Sequence, residues 1–360
     1  MSEENRALLD LVTSVSGTSY RKVEEAFGDG FVRLHTSEAE RRQAKHDIRS
    51  VEDVVIELLR NSRDAGASRI FIASSRSGDI RSIAVIDDGI GVPLSMHQRI
   101  FEPRVTSKLD SMVIDSWGVH GRGMALYSIK ANAPDVRVAA SATGLGSAIV
   151  FSNNCQTLPE RSDQSTWPIV DLSEQGSPVV TRGPHNILRS VVEFACQHPE
   201  IQVYIGSHAE VAATMFVLAV SGAESSGVLL VDDVEGLNVW QRLAASMDAA
   251  ELVVVASSIG LEISERTAHR VLSGEGKALP PILEICNAIE QDTTVDQPPD
   301  IYKNRKGLKI HSDDLIEFRR GITAAFDGLA ERYFIYMKDE PRIRVTRDAI
   351  HVRFEIDKED

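Results

Sequence analysis

Along this chain the spacing of apolar positions switches between a helical and an alternating rhythm. Val51, Val54, Val55 and Leu58, continued by Ser62, fall on one stripe at about 100° per residue, so a helix packs this face inward. From residue 51 to about residue 151 the pattern predicts helix, strand, strand, glycine-rich loops, helix, strand, strand. Before it, the charged stretch 37–46 predicts an exposed helix or arm. After it comes a polar, proline-containing connection over 153–184. A helix is then expected over 186–197, a strand over 201–205, an apolar helix around 210–220 and a short strand over 227–231. Residues 239–289 read as mostly helical, and Pro298 and Pro299 mark a boundary. A helix around 314–333 and a hairpin of 343–345 with 350–354 close the chain.

Composition narrows the class without naming a function. The 360 residues suggest two or three domains, and 42% hydrophobic with 26% charged residues is the make-up of a globular protein. No apolar run approaches the roughly 20 residues of a membrane helix. Met1 to Asn5 lacks the basic start of a secretory signal, so no membrane association and a cytoplasmic location are expected. Cys155, Cys196 and Cys286 are too widely spaced for a CxxC motif, and their odd number fits reduced thiols. With 39 Lys and Arg against 53 Asp and Glu, the net charge of -14 argues against holding nucleic acid by bulk charge.

Three segments carry candidate chemistry. On the helix from Val51, Glu57, Asn61 and Asp64 form a second stripe roughly a quarter turn from the apolar one, and Gly66 fits the helix stop. A carboxylate and a carboxamide one turn apart suit a site holding a water to be deprotonated and a hard cation such as Mg2+; the same stripe also reads as an ordinary solvated face. The second segment is Ile83-Ala84-Val85-Ile86-Asp87-Asp88-Gly89-Ile90-Gly91-Val92. Here a strand delivers an acid into a turn whose glycines let backbone approach a ligand, and the acid can accept from an exocyclic amine. The third, Trp117-Gly118-Val119-His120-Gly121-Arg122-Gly123-Met124-Ala125-Leu126-Tyr127-Ser128-Ile129, opens a helix with three glycines. Free N–H groups and the helix dipole favour phosphate oxygens there.

The order and spacing of these segments resemble the GHKL superfamily of gyrase, chaperone, histidine kinase and MutL ATPases. Residues 57–67 and 118–129 are similar to the MutL helix and glycine box. Phe101-Glu102-Pro103-Arg104-Val105-Thr106-Ser107-Lys108 resembles the segment leading into the lid, and residues 144–151 resemble the last strand of the fold. The resemblance implies an α+β class for residues 46–155, a two-layer α/β sandwich (the Bergerat fold) with a mixed, mainly antiparallel sheet. It also implies ATP and Mg2+ as cofactors. Asn61 would coordinate Mg2+, and Asp87 would accept the adenine amino group with help from Ser147. Gly89 and Gly91 would pass close to the base, while Gly118, Gly121 and Gly123 would form a lid over the phosphates. Asp64, Ala65, Thr106 and Met124 count among the ATP-contacting positions. Lys108 and Arg122 either neutralise phosphate charge or are solvated surface residues. Glu57 stands where hydrolysing members place the glutamate that polarises the attacking water, which implies an ATPase rather than a kinase.

Beyond the resemblance, the chain divides into an arm (1–45), a small α/β region (185–235), a helical module (238–292) and a C-terminal helix with hairpin (300–360). Lys303, Lys306 and Lys309 are either candidates for a lysine that reaches a neighbouring nucleotide site, as in transducer domains, or a solvated basic loop. Residues 256–274 are similar to a helix-turn-helix with Arg266, Thr267 and Arg270 outward, though a structural helical module reads equally well. The expected function is a Mg-dependent ATPase whose nucleotide cycle closes a lid and pairs two chains, with a protein partner or DNA as further candidates. The alternative is an ATP-sensing regulatory or DNA-binding module, or a histidine-kinase-like ATP-binding protein, without significant turnover.

Overall fold

The computed structural model describes residues 23–107, 113–115, 118–120, 123–161, 163–173, 176–221, 234–286, 312–333, 335–345 and 350–358. The chain forms two units, Met1–Glu290 and Gln291–Asp360.

The first unit begins with β1 (Val23–Gly28), β2 (Phe31–Leu34), α1 (Glu38–Asp47), α2 (Val51–Asp64), β3 (Arg69–Ser77) and β4 (Ile80–Asp87). After two short 3-10 turns come β5 (Val105–Thr106), β6 (Val113–Asp115), β7 (Gly118–His120), α3 (Ala125–Asn132), β8 (Arg137–Ser141) and β9 (Ser147–Asn154). It continues through β10 (Ile169–Leu172), β11 (Pro178–Arg182), α4 (Ile187–Gln197), β12 (Gln202–Gly206) and α5 (His208–Ser221). A 3-10 helix (Val239–Ala245), α6 (Ala249–Ser258) and α7 (Glu265–Leu272) follow.

Five strands form the central sheet in the order β12-β3-β4-β9-β8. Only β12 and β3 run parallel; the other neighbours are antiparallel. The mixed, mainly antiparallel sheet and the α+β class therefore hold. Alternate residues point to opposite faces of each strand, and here both faces are apolar. Ile70, Ile72, Ile83, Val85, Ile149, Phe151, Val203 and Ile205 pack with α2, α3 and α4. Phe71, Ala73, Ala84, Ile86, Ala148 and Tyr204 pack with α5, the 3-10 helix, α6 and α7. A two-layer sandwich leaves the second face to solvent, whereas this chain closes over it with a third layer. The cause is in the strands, because Phe71 and Ile86 stranded in water would each forfeit about 1.5–3 kcal/mol of burial.

This changes the expected division of the chain. Residues 185–235, read as a separate small region, supply the parallel edge strand β12 and helix α5 to the central sheet. Within the connection over 153–184, β10 and β11 form an unforeseen hairpin. In the arm, β1 and β2 pair with β5 as a small sheet. The strand expected over 227–231 lies outside the described residues, as do Lys303, Lys306 and Lys309.

The helix that matters most starts as its sequence dictates. Ser50 caps α2: its hydroxyl accepts from the Asp53 N–H, and the Asp53 carboxylate accepts from the Ser50 N–H at 3.0 Å. Val51, Val54, Val55 and Leu58 are buried as the periodicity requires. In the second unit, α8 (Ser312–Tyr333) precedes β13 (Ile335–Met337), β14 (Arg342–Val345), β15 (Ile350–Arg353) and β16 (Ile356–Lys358). The expected hairpin is β14 with β15, and β13 pairs with β16 outside it. Among the described residues no helix is long and apolar enough to cross a membrane.

Candidate nucleotide site

A cleft opens at the end of the sheet where β4 finishes and β9 begins, beside the C-terminus of α2. Its walls include Asn61, Ser62, Asp64 and Ala65 of the α2 end, Asp87 of β4, Gly91, Thr106, Gly123 and Ser147. Ile90, Val92, Ile100, Val105, Leu126 and Ile149 make much of the rest apolar. Such a mixture, apolar walls with few placed polar groups, suits a small planar ligand with one polar edge.

Asp87 is the fixed point. It is 4% exposed. Its Oδ2 accepts from the hydroxyls of Ser147 at 2.7 Å and Ser62 at 3.0 Å, and its Oδ1 accepts from the Gly89 N–H at 2.9 Å. Each carboxylate oxygen offers about two acceptor positions, so Oδ2 is filled while Oδ1 keeps one for a donor in the cleft. Burial pushes the Asp87 carboxyl above the ordinary carboxylate range, against the pull of the Ser147, Gly89 and Ser62 hydrogen bonds.

The turn after Asp87 interlocks with the turn before β9. Gly144 and Gly146 donate their N–H groups to the carbonyls of Ile90 (2.7 Å) and Gly89 (3.0 Å), and Ile90 donates to the Ala65 carbonyl (3.0 Å). Ser141 joins them, accepting from the Val92 N–H at 2.7 Å and donating to the Gly146 carbonyl at 2.8 Å. Gly91 and Gly146 have φ of +68° and +75°, and a Cβ on either would overlap the Ala142 or the Asp87 carbonyl oxygen. Only glycine permits backbone to approach backbone this closely at these angles.

Asn61 lines the cleft, and its Nδ2 is buried without a hydrogen-bond partner. A carboxamide so placed can turn its oxygen toward a hard cation. Helix α3 starts at Ala125 with Met124 as an N-cap whose side chain makes no hydrogen bond, so no N-cap side chain takes up its first-turn N–H groups, which are of the kind that suits an anion.

Residues 46–156 match the family model "Histidine kinase-, DNA gyrase B-, and HSP90-like ATPase". This region is a GHKL-type ATPase domain. The DNA mismatch repair protein MutL of Thermus aquaticus is 43% identical over 82 residues, which is 22% of this chain and 15% of that protein. MutL of Staphylococcus aureus (strain Newman) is 36% identical over 99 residues, 26% of this chain and 15% of its own length. The match thus spans about 15% of the length of these curated relatives. A solved N-terminal domain of a DNA repair protein aligns over 43% of this chain and 59% of its own at 17% identity, with a TM-score of 0.24.

Within the GHKL domain, Asn61, Asp64, Ala65, Asp87, Gly91, Thr106, Gly123 and Ser147 all line one cleft. Gly89 acts from just behind it, through its N–H on Asp87. Met124 is buried and caps α3 rather than lining the cleft. Gly118, read as part of a helix start, instead begins β7 and pairs with Asp115. Lys108, Gly121 and Arg122 lie outside the described residues. Glu57 is not among the lining residues; its carboxylate is ion-paired with Arg60, whose side chain is 4% exposed.

Ser62, Phe31 and several apolar wall residues such as Ile100 were not among the site residues expected from sequence. Ser62 sat on the apolar stripe of α2, and that lone hydroxyl on a buried face was the available signal. Phe31 comes from the arm, and nothing in its local sequence points to the cleft. The segment 256–274 does form two helices, α6 and α7, but Ala256, Ile259, Leu261, Ala268 and Val271 bury its inner side on the sheet. Arg266 and Arg270 are exposed beside the equally exposed Glu262 and Glu265.

Proposed function

We propose that this cleft binds Mg-ATP and that the chain is a nucleotide-driven switch. The observation that carries the reading is the Asp87 carboxylate, with one oxygen saturated by two hydroxyls and the other left with a single acceptor position. That arrangement matches one exocyclic amine, the donor that adenine presents. The apolar walls would hold the base, and the phosphates would run toward the open start of α3 and Gly123. Asn61 would hold Mg2+ against them. Among the described residues no three His, Cys, Asp or Glu side chains gather as a metal cluster, so the cation would depend on phosphate oxygens for most of its ligands. Bound there, Mg2+ would neutralise phosphate charge and orient the terminal phosphate.

Hydrolysis by Glu57, closure of the lid segment and pairing of two chains complete the proposal. Calorimetry with ATP and GTP, with and without Mg2+, is the first test; equal affinity for the two purines would sink the adenine assignment. Phosphate release by the wild type and Glu57→Ala is the second. The proposal expects retained binding with turnover abolished, and unchanged turnover would remove Glu57 from the mechanism. Light scattering with a nonhydrolysable ATP analogue tests the pairing.

A second reading has its own support. Because Glu57 is engaged by Arg60 and stands outside the cleft wall, ATP occupancy without turnover is a coherent alternative. Tight ATP binding with no Mg-dependent phosphate release would select it.

A further inference from the structure

Two consecutive residues of the third layer contact, from behind, the two turns beside Asp87 and Ser147 at the base-binding end of the cleft. Val239, fully buried at the start of the 3-10 helix, donates its N–H to the Leu145 carbonyl at 2.8 Å. Leu145 belongs to the turn 142–146, which bonds to Gly89 and Ile90 through Gly146 and Gly144. Trp240 reaches the β3 side. Its ring stacks on Phe71 with centroids 6.0 Å apart, and the Arg69 guanidinium lies 5.0 Å from its centroid. The same guanidinium stands 3.6 Å from Asp88, whose carboxylate accepts from the backbone N–H groups of Ser68 and Arg69 at 2.7 and 2.8 Å. Asp88 is the residue after Asp87. One dipeptide therefore holds the turn that leads into Ser147 and, through Arg69 and Asp88, the turn that follows Asp87.

The grip is itself braced. Asn238 caps the 3-10 helix, and the buried Arg242 guanidinium donates to the Leu237 and Glu235 carbonyls at 3.3 and 3.0 Å. Trp240, Leu243, Leu252, Ala256 and Val271 belong to one apolar cluster with Phe71, so the segment moves only with its layer.

We propose that Val239 and Trp240 are positioning residues for the nucleotide base, and that the third layer and the ligand are thereby coupled. The inference rests on the cleft being a nucleotide site. Coupling between two sites is reciprocal, so whatever tightens the layer tightens base binding, and the bound base in turn tightens the layer. The phosphate end, built on Asn61, Gly123 and α3, makes no use of this grip.

The geometry offers a selective test. Asn238 has φ -54° and ψ 137°, a conformation suited to preceding proline, and Val239 is the first residue of its helix, where proline is tolerated. Val239→Pro in the full chain removes the N–H donor, while Val239→Ala trims the side chain and keeps it. ATP should bind about fivefold more weakly to Val239→Pro than to Val239→Ala, the ratio carried by one ordinary net hydrogen bond. Inorganic tripolyphosphate with Mg2+, which has no base, should bind both alike. Without any ligand, amide exchange at Gly144 and Gly146 should be faster in Val239→Pro. Equal ATP affinity and equal exchange in the two variants would overturn the proposal. Should Val239→Pro not fold, Arg69→Met, at a part-exposed position, must weaken ATP and spare tripolyphosphate; loss of both or of neither would count against the grip. If the wild type binds no ATP, the nucleotide reading fails, and the exchange comparison still decides whether Val239 positions the turn.

Discussion

Asp87 and Ser147 stand directly opposite one another in the β4–β9 register, and the serine hydroxyl donates to the buried carboxylate at 2.7 Å. A hydroxyl on the neighbouring strand thus fixes the acid's orientation before any ligand arrives. The cost is a buried charge. With its folded value raised, Asp87 contributes most to stability below its ordinary value of 3.8, where it is protonated in the folded chain, and that contribution is lost as the pH rises through the folded value. At neutral pH, Asp87→Asn should therefore be at least as stable to heat as the wild type. Its advantage should shrink as the pH falls toward 3.8. ATP affinity should drop by about tenfold or more, the scale of a hydrogen bond to a charged group. Thermal unfolding at two pH values and calorimetry check the pair of outcomes; a variant that keeps full ATP affinity would remove Asp87 from recognition.

The interlocked turns leave no room for a methyl group. Gly91→Ala and Gly146→Ala each place a Cβ against a carbonyl oxygen at a left-handed φ. Each should lose at least about 2 kcal/mol in denaturant titration, because neither the angle nor the backbone neighbour can give. A loss below about 0.5 kcal/mol, the size of an ordinary surface change, would mean that the turns are looser than they stand here.

Phe31 ties the arm to the cleft. Its hairpin is held on the segment leading into the lid by β2–β5 pairing, by the Leu34 N–H on the Arg104 carbonyl at 3.0 Å and by the Arg33–Glu102 ion pair, while Arg104 also pairs with Glu40 of α1. Phe31→Ala should weaken ATP binding by roughly three- to tenfold, as partial loss of one buried aromatic side chain would. Unfolding by denaturant should show only a modest loss, since Phe31 is partly buried where it packs against the central core. An unaltered dissociation constant would show that Phe31 borders the cleft without touching the ligand.

The thiols should differ in reactivity for reasons of burial. Burial, with Cys286 and Glu193 adding to it, pushes the Cys196 thiol up to about 12. At pH 8 its thiolate fraction is then negligible, and the thiolate is the nucleophile. Ellman's reagent should leave Cys196 unlabelled in the folded protein and label it after unfolding, as peptide mapping would show. Labelling of Cys196 as fast as that of the partly exposed Cys155 would contradict the packing around α4.

Local rules made a large part of this protein legible. The stripe Val51, Val54, Val55, Leu58 and the Ser50 cap fix α2, because helical periodicity and capping act within a few residues. The Asp-x-Gly-x-Gly turn and Ser147 were likewise identifiable, since close backbone approach demands glycine and leaves a signature in the sequence. What could be read without the fold, then, was the GHKL-type domain and the helix, strand and turn that carry Asn61, Asp87 and Gly91. The tertiary structure alone decided that β12 joins the sheet, that α5 to α7 close over its second face, and that Phe31, Ser62, Val239 and Trp240 converge on one site. Those contacts join residues far apart in the chain through packing and single hydrogen bonds. They leave no periodic or compositional trace, because a Val N–H or a buried Trp looks the same in sequence whichever partner it meets.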